Sequence, residues 1–270
     1  MIKKNNREIE NSSLGAGGRT VLVTGGAGEI GSAICRKFAE NDFDIIITYN
    51  SDIQKAEKLL ADLNQLSVTN NQLPNHSIFH APTTNPEKVA KLKDFVAEKY
   101  EKLDVLVNNA GITTPVPHHN LDALTDEWID KIMQTNFRGS FAMCRAMKDL
   151  LMKSAEKTAL IVNISSIAGI YGIGSNVAYC ASKAAIDSMT RSLARALAPK
   201  IRVVSVSPGF VEGEYTKNFD PAFLKNQMDN TPLERFAMGE DVANAVFAVA
   251  TQLTFSTGNI ITVDGGRLLK

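Results

Sequence analysis

The sequence predicts an α/β protein, built as a single Rossmann-type, doubly wound domain with a parallel sheet of about seven strands and helices on both faces. Short apolar runs rich in β-branched residues alternate with longer segments of helical periodicity. Most runs are continuously apolar, as strands are when both faces of a parallel sheet are covered. The predicted strands are residues 20–24, 44–49, 77–80, 104–108, 159–165, 201–206 and 259–263.

Helical patterns fill the segments between the predicted strands. Ile30, Ala33, Ile34 and Phe38 recur at helical spacing, and two long helices are predicted over residues 126–151 and 179–198. Residues 19–270 contain no internal repeat and no proline-rich linker, so we expect them to form one domain. Residues 1–18 are polar, contain glycine and serine, and are predicted to be a flexible leader.

Composition excludes several functional classes. Lys+Arg and Asp+Glu both number 29, so no global field would attract nucleic acid or an anionic membrane surface. No apolar run reaches the length of a membrane span. The 3 cysteines include no C-x-x-C pair, and the 4 histidines show no metal-ligand spacing. We therefore expect a cytoplasmic protein with neither disulfides nor a metal site.

The stretch TVLVTGGAGEIG, residues 20–31, joins the first predicted strand to a helix. It fits G-x-G-x-x-G and T-G-x-x-G-x-x-G, and it fits T-G-x-x-x-G-x-G only with Glu29 at a glycine position. Gly25, Gly28 and Gly31 allow a tight turn, and the first N–H groups of the helix can bind a pyrophosphate. The context predicts a dinucleotide-binding turn, although each motif points to a different enzyme group.

The end of the second strand predicts the contacts to an adenosine ribose. In NAD-specific proteins an acid at this point binds the ribose 2′-hydroxyl group. Here the tip consists of Tyr49, Asn50 and Ser51, and Asp52 comes late. No acid at the tip would repel a 2′-phosphate, but the first basic residue is Lys55. The pattern favours NADP as the cofactor, with NAD as the alternative.

A second group of residues has the spacing of a proton-transfer site. Ser166 follows the fifth strand, where this architecture places ligands, and its hydroxyl can donate a hydrogen bond to a substrate oxygen. Tyr179 lies 13 residues after Ser166 and 4 before Lys183, a step that puts the last two on one helix face. We expect the ammonium group to lower the phenol pKa from about 10 towards neutrality, which would make Tyr179 a general acid or base.

With these residues the chain resembles the short-chain dehydrogenase/reductase (SDR) family over residues 19–268. The shared pieces are the glycine turn, NNAG (108–111), the asparagine of QTNFRGSF, the serine of NISS, YCASK, SPGF and TGNIITVDGG. The segment TPLERFAMGEDVANAV and the VDGG tail are most similar to the 3-oxoacyl-[acyl-carrier-protein] reductase group. The resemblance implies an NAD(P)(H)-dependent oxidoreductase that interconverts a ketone and a secondary alcohol, a role in fatty acid synthesis, and a homotetramer.

The resemblance also implies roles for individual residues. Tyr179 would protonate the substrate carbonyl during hydride transfer, and Ser166 would orient its oxygen, so both would contact substrate. Lys183 would hold the nicotinamide ribose and lower the tyrosine pKa, while Asn136 would position a relay water. Residues from about 212 to 230 would form a substrate lid. The implied cofactor-binding residues are Gly25, Gly28, Glu29, Ile30, Gly31, Tyr49, Asn50, Ser51, Asn109, Ala110, Gly111, Tyr179, Lys183, Pro208, Gly209 and Val211.

Three residues depart from the family pattern. Glu29 replaces the middle glycine of the turn, and Pro82 stands where an aspartate often contacts adenine. Gly213 stands where a threonine often touches the cofactor. The first two bear on cofactor affinity and choice, and the third bears on the lid. We expect Glu29 to disfavour a 2′-phosphate without preventing dinucleotide binding.

Alternatives stay open both within and outside this family. The substrate could be another small alcohol, a sugar or a ring ketone. A non-catalytic dinucleotide-binding scaffold or regulator would explain the altered adenosine side, but it has no need for the complete proton-transfer set. A sugar epimerase would explain T-G-x-x-G-x-x-G, but only about 60 residues follow Pro208. A substrate carried by acyl carrier protein would require a basic surface near the site, to which Lys148, Lys153 and Lys157 could contribute.

Overall fold

The computed structural model describes residues 18–66, 75–214, 216 and 219–269, so the predicted leader lies outside the described residues except for Gly18. Seven parallel strands form one sheet in the order β3-β2-β1-β4-β5-β6-β7. They are β1 (Arg19–Val23), β2 (Phe43–Tyr49), β3 (Ser77–His80), β4 (Val105–Asn108), β5 (Ala159–Ile164), β6 (Ile201–Pro208) and β7 (Ile260–Val263). The predicted doubly wound sheet is confirmed, and every predicted strand end lies within two residues of the observed one.

Helices cover both faces of this sheet. They are α1 (Glu29–Ala39), α2 (Ile53–Leu66), α3 (Pro86–Tyr100), α4 (Asp126–Ile132), α5 (Ser140–Met152), α6 (Ala168–Tyr171), α7 (Val177–Leu197), α8 (Pro221–Asp229) and α9 (Gly239–Thr251). Side chains of α1, α2 and α9 share one core with Val21 and Val23 of β1. Side chains of α3, α5 and α7 share the other core with Leu22. Alternate residues of a strand therefore stabilise opposite layers.

The predicted helix over residues 126–151 is wrong in one respect, because it is not a continuous α-helix. α4 passes into a π-helical segment (Met133–Gly139), which passes into α5. Gly139 lies so close to the loop after β3 that a Cβ atom there would approach Thr83 Oγ1 to 2.5 Å. The π-helical segment carries the buried Asn136, and such segments occur frequently at functional sites.

The strand order places a cleft at the carboxyl edge of the sheet. The chain runs outward from β1 through β2 to β3 and then returns to β4, which pairs with the other side of β1. Such a reversal leaves a crevice in which ligands of open α/β sheets bind. Here a cleft of about 2080 Å³ runs along that edge. Within the described part of the chain, no helix combines the length and apolar character needed to cross a membrane.

Candidate active site

The glycine turn forms one wall of the cleft. Gly25 adopts φ +60, and a Cβ atom on Gly31 would lie 2.5 Å from the Gly25 carbonyl oxygen, so the turn needs glycine at both positions. No side-chain hydrogen bond caps α1 at Gly28. Gly28, Glu29 and Ile30 line the cleft. An uncapped helix N-terminus beside a close backbone turn fits the pyrophosphate of a dinucleotide.

Asn109 ties the end of β4 to the glycine turn. Its Nδ2 donates to the carbonyl oxygens of Thr24 at 3.0 Å and Gly25 at 3.1 Å. The Thr24 hydroxyl accepts hydrogen bonds from the backbone N–H groups of Asn109 at 2.9 Å and Ala110 at 3.0 Å. The NNAG segment therefore supports the shape of the turn through its own side chain, while Asn109, Ala110 and Gly111 also line the cleft.

The cleft extends to the tip of β2, where the sequence analysis places the adenosine ribose. Tyr49, Asn50 and Ser51 all line it, as the sequence predicts, and so does Pro82. The Asn50 carbonyl is hydrogen-bonded to His80 Nε2 at 2.8 Å, and the Tyr49 and His80 rings lie 5.4 Å apart. None of the three side chains at the tip is a carboxylate, and the next residue, Asp52, also lines the cleft.

Ser166, Tyr179 and Lys183 meet at the centre of the cleft. Ser166 follows β5, and its hydroxyl lies close enough to the Tyr179 phenol to lower the pKa of that phenol by hydrogen bonding. Lys183 stands one turn after Tyr179 on α7, with its Nζ 5.6 Å from the centre of the Tyr179 ring. The same Nζ donates a hydrogen bond to the Ile164 carbonyl at 2.8 Å. The end of β5 thus leads directly into Ser166 and anchors the Lys183 ammonium group through the Ile164 carbonyl.

Asn176, which the sequence analysis missed, fixes where α7 begins. It is fully buried, and its Oδ1 accepts a hydrogen bond from the Tyr179 backbone N–H at 2.7 Å. Its Nδ2 donates to the Thr114 carbonyl at 2.7 Å, which joins α7 to the loop after β4. An asparagine three residues before a predicted helical tyrosine is a helix N-cap signal that could have identified it.

Asn136 links the π-helical segment to α7. Its Oδ1 accepts from the Ile112 N–H at 2.8 Å, and its Nδ2 donates to the Ile112 carbonyl at 3.0 Å and to Ser182 Oγ at 3.0 Å. Ser182 Oγ in turn donates to the Tyr179 carbonyl at 2.8 Å. A Cβ atom on Gly111 would lie 3.4 Å from Asn136 Oδ1 and 3.6 Å from Lys183 Nζ. The four predicted catalytic residues are therefore brought together.

The titration of the two central groups differs from the sequence-based expectation. Burial raises the pKa of Tyr179, and the hydrogen bond from Ser166 opposes this shift only in part. Burial lowers the pKa of Lys183 to about 8, against the opposite effect of the Asp187 carboxylate. The expected lowering of the tyrosine pKa is not seen, because burial raises the pKa of the phenol by more than the hydrogen bond from Ser166 lowers it.

The end of β6 and α8 form the remaining side of the cleft. Pro208, Gly209 and Val211 line it. A Cβ atom on Gly209 would lie 3.0 Å from the Asp264 Cα, so this glycine permits close approach of the C-terminal segment. Phe219 and Phe223 also line the cleft, with ring centroids 5.3 Å apart. The predicted lid lies beside the cleft, but residues 215, 217 and 218 lie outside the described residues, and its covering role stays a prediction.

Comparisons with known proteins agree with this geometry. The family model described as Enoyl-(Acyl carrier protein) reductase matches residues 25–267. The chain is 35% identical to a 3-oxoacyl-[acyl-carrier-protein] reductase of Rickettsia felis over 93% of this chain and 98% of that protein. The chain belongs to the short-chain dehydrogenase/reductase family. The corresponding reductase of Thermotoga maritima is 32% identical over 93% of this chain and 98% of its own length.

A solved SDR structure shares the fold. A Brucella melitensis protein described as a short-chain dehydrogenase/reductase and glucose/ribitol dehydrogenase has a TM-score of 0.82 and 28% identity, covering 92% of this chain and 96% of its own. Membership of the family makes this protein an oxidoreductase that acts on CH–OH and C=O groups. Members of the family bind a nicotinamide dinucleotide, for which the glycine turn is suited.

The buried Lys183 ammonium group predicts a pH-dependent stability. Its folded-state pKa of about 8 lies below the ordinary 10.5, so the unfolded chain binds more protons between these values. Stability then rises with pH over this window. We expect wild type to gain on the order of 3 kcal/mol relative to Lys183→Met between pH 7 and 10.5. Urea unfolding of both proteins at fixed concentration measures this difference, and a pH-independent difference would contradict the burial argument.

Proposed function

We propose that this protein reduces the ketone of a 3-oxoacyl thioester to a secondary alcohol with NADPH. The observation that supports this proposal is the juxtaposition of the Ser166 hydroxyl, the Tyr179 phenol and the Lys183 ammonium group in one cleft. The first two can bind a carbonyl oxygen, and the third favours the negative charge that forms when the tyrosine gives up its proton. A protein without turnover has no need for this set of groups.

Tyr179 is the proposed general acid. Its raised pKa keeps the phenol protonated at neutral pH, so it has a proton to donate to the carbonyl oxygen. The Ser166 hydroxyl lies beside the phenol, and it can donate its single proton in a hydrogen bond to that carbonyl oxygen. Proton donation to the oxygen and hydride addition to the carbon then give the alcohol.

Lys183 and Asn136 support the proton transfer. The buried Lys183 ammonium group, 5.6 Å from the ring centre, stabilises the tyrosinate left after donation. Asn136 holds the backbone at Ile112 and the side chain of Ser182, and through Ser182 the carbonyl of Tyr179. The water relay that the family resemblance implies for Asn136 stays part of the proposal.

The cofactor proposal rests on the shape and charge of the cleft. A bound nicotinamide dinucleotide supplies the hydride. The glycine turn would hold its pyrophosphate, Lys183 its nicotinamide ribose, and the tip of β2 its adenosine ribose. We propose NADP as the preferred form, with NAD as the alternative, since Tyr49 and Asn50 place no carboxylate at the tip.

The substrate proposal rests on apolar side chains that line the cleft. Phe219, Phe223 and the 75% exposed Ile173 present apolar surface to the cleft, which suits an acyl chain. The solved relative described as a glucose/ribitol dehydrogenase keeps a sugar ketone as the second candidate.

Carriage of the substrate on acyl carrier protein, and assembly as a homotetramer, are further parts of the proposal. Of the three lysines considered for docking, Lys148 is paired with Asp149 at 3.5 Å.

Replacing Tyr179 with phenylalanine tests the mechanism. We expect Tyr179→Phe to lower kcat by about 10²–10⁴-fold, the usual contribution of a positioned general acid. Dinucleotide affinity, measured by fluorescence titration, should survive. Tyr100→Phe, which removes the same atom from a tyrosine in α3 outside the cleft, is the control. Unchanged turnover in Tyr179→Phe would contradict the proposed mechanism.

A substrate panel tests the proposed reaction. NADH and NADPH are each assayed with 3-oxoacyl thioesters, sugar and ring ketones, and a nucleotide sugar. We expect the highest kcat/KM with NADPH and a 3-oxoacyl thioester. Activity on another ketone, together with failure on every 3-oxoacyl thioester, would remove the fatty-acid role. Epimer formation without net oxidation or reduction would replace the proposal with an isomerase.

A further inference from the structure

An ion pair connects the adenosine end of the cleft to the segment that follows β6. Lys55 lies in the first turn of α2 and lines the cleft beside Ser51 and Asp52. Its Nζ lies 2.8 Å from Oε2 of Glu214, a residue 159 positions later in the chain. Both side chains are exposed, Lys55 by 54% and Glu214 by 72%. The pair therefore stands in solvent at the mouth of the adenosine site.

Glu29 and Gly213, two of the three departures from the family pattern, determine where this ion pair lies. The atoms of the Glu29 side chain lie 3.1 to 3.4 Å from where a Cβ atom on Gly213 would stand. A threonine at position 213 would press against the Glu29 side chain, whereas glycine allows the segment to lie there. Glu214 follows directly, and its carboxylate reaches Lys55. The contact between Glu29 and Gly213 and the ion pair between Glu214 and Lys55 therefore belong to the same local packing.

Three carboxylates, those of Glu214, Asp52 and Glu29, act on the single ammonium group of Lys55. Glu214 raises the pKa of Lys55 through its hydrogen bond and charge, and the charges of Asp52 and Glu29 add smaller effects in the same direction. Lys55 is therefore held as an ammonium ion. Among the described side chains that line this end of the cleft, it is the one that can offer a positive charge.

A ribose 2′-phosphate and a ribose 2′-hydroxyl make different demands on this surface. The phosphate brings close to two negative charges, and its oxygens need a cation. The hydroxyl needs only ordinary hydrogen-bond partners. An exposed ion pair is weak, so a phosphate can displace a carboxylate from a lysine. In this cleft, that lysine is already engaged by Glu214.

We propose that Glu214 competes with the ribose 2′-phosphate of NADP(H) for Lys55, so that Glu214 is a specificity-determining residue that weakens NADP(H) relative to NAD(H). The proposal rests on the proposed function only in that the cleft binds a nicotinamide dinucleotide. It does not depend on the substrate or on Tyr179. Binding alone therefore tests it.

Fluorescence titration of the full chain with NADPH and with NADH measures the effect, and adenosine 2′,5′-bisphosphate against 5′-AMP isolates the phosphate. We expect Glu214→Gln to tighten NADPH binding by roughly two- to fivefold, the size expected from loss of an exposed ion pair. NADH binding should stay unchanged. Glu212→Gln removes the same charge two residues away, in the same segment, and is the matched control.

A double-mutant cycle separates competition for Lys55 from general repulsion. Lys55→Gln should weaken NADPH but not NADH, and adding Glu214→Gln to it should bring no further gain. A gain that persists without Lys55, an equal gain for NADH, or an equal effect of Glu212→Gln would overturn the proposal. Failure of wild type to bind either dinucleotide would also overturn it. Inactivity on every ketone, with these titrations as expected, would remove the proposed function and leave this inference standing.

Discussion

The environment of two titratable side chains at the junction of β5 and α7, the buried Lys183 and the half-buried Tyr179, is the constraint on which the site depends. Burial disfavours the charged form of each group, so it raises the pKa of Tyr179 and lowers that of Lys183 to about 8. At neutral pH the phenol is protonated and most Lys183 side chains are charged. A proton donor then stands beside a cation that favours its conjugate base, which suits reduction of a carbonyl group.

The remaining contacts keep these two groups in place. The Ile164 carbonyl anchors Lys183 Nζ, and Asn176 sets the first turn of α7 at Tyr179. From the π-helical segment between α4 and α5, Asn136 contacts the loop after β4 and Ser182 of α7. The carboxyl edge of a parallel sheet brings such distant segments together, since every strand ends at the same side.

The strands and the central site follow from local patterns, whereas the finer contacts depend on distant residues. Continuous apolar runs predict the strands, and the spacing of Ser166, Tyr179 and Lys183 predicts a shared helix face and a strand end. Helical periodicity does not distinguish a π-helical segment from an α-helix, so the surroundings of Asn136 were not foreseen. The direction of the Tyr179 pKa shift depends on burial, which spacing does not report. Glu214 meets a partner 159 residues away, which no local pattern reveals.

Ionisation of Tyr179 in the free protein is the most direct test of how burial and Lys183 set the pKa of this phenol. The ζ-carbon resonance of Tyr179 in protein labelled with ¹³C-tyrosine can be titrated with pH and assigned by its loss in Tyr179→Phe. We predict a midpoint above the ordinary value of about 10, because burial disfavours the phenolate. A midpoint below that value would contradict this prediction, since the charge of Lys183 would then lower the phenol pKa by more than burial raises it.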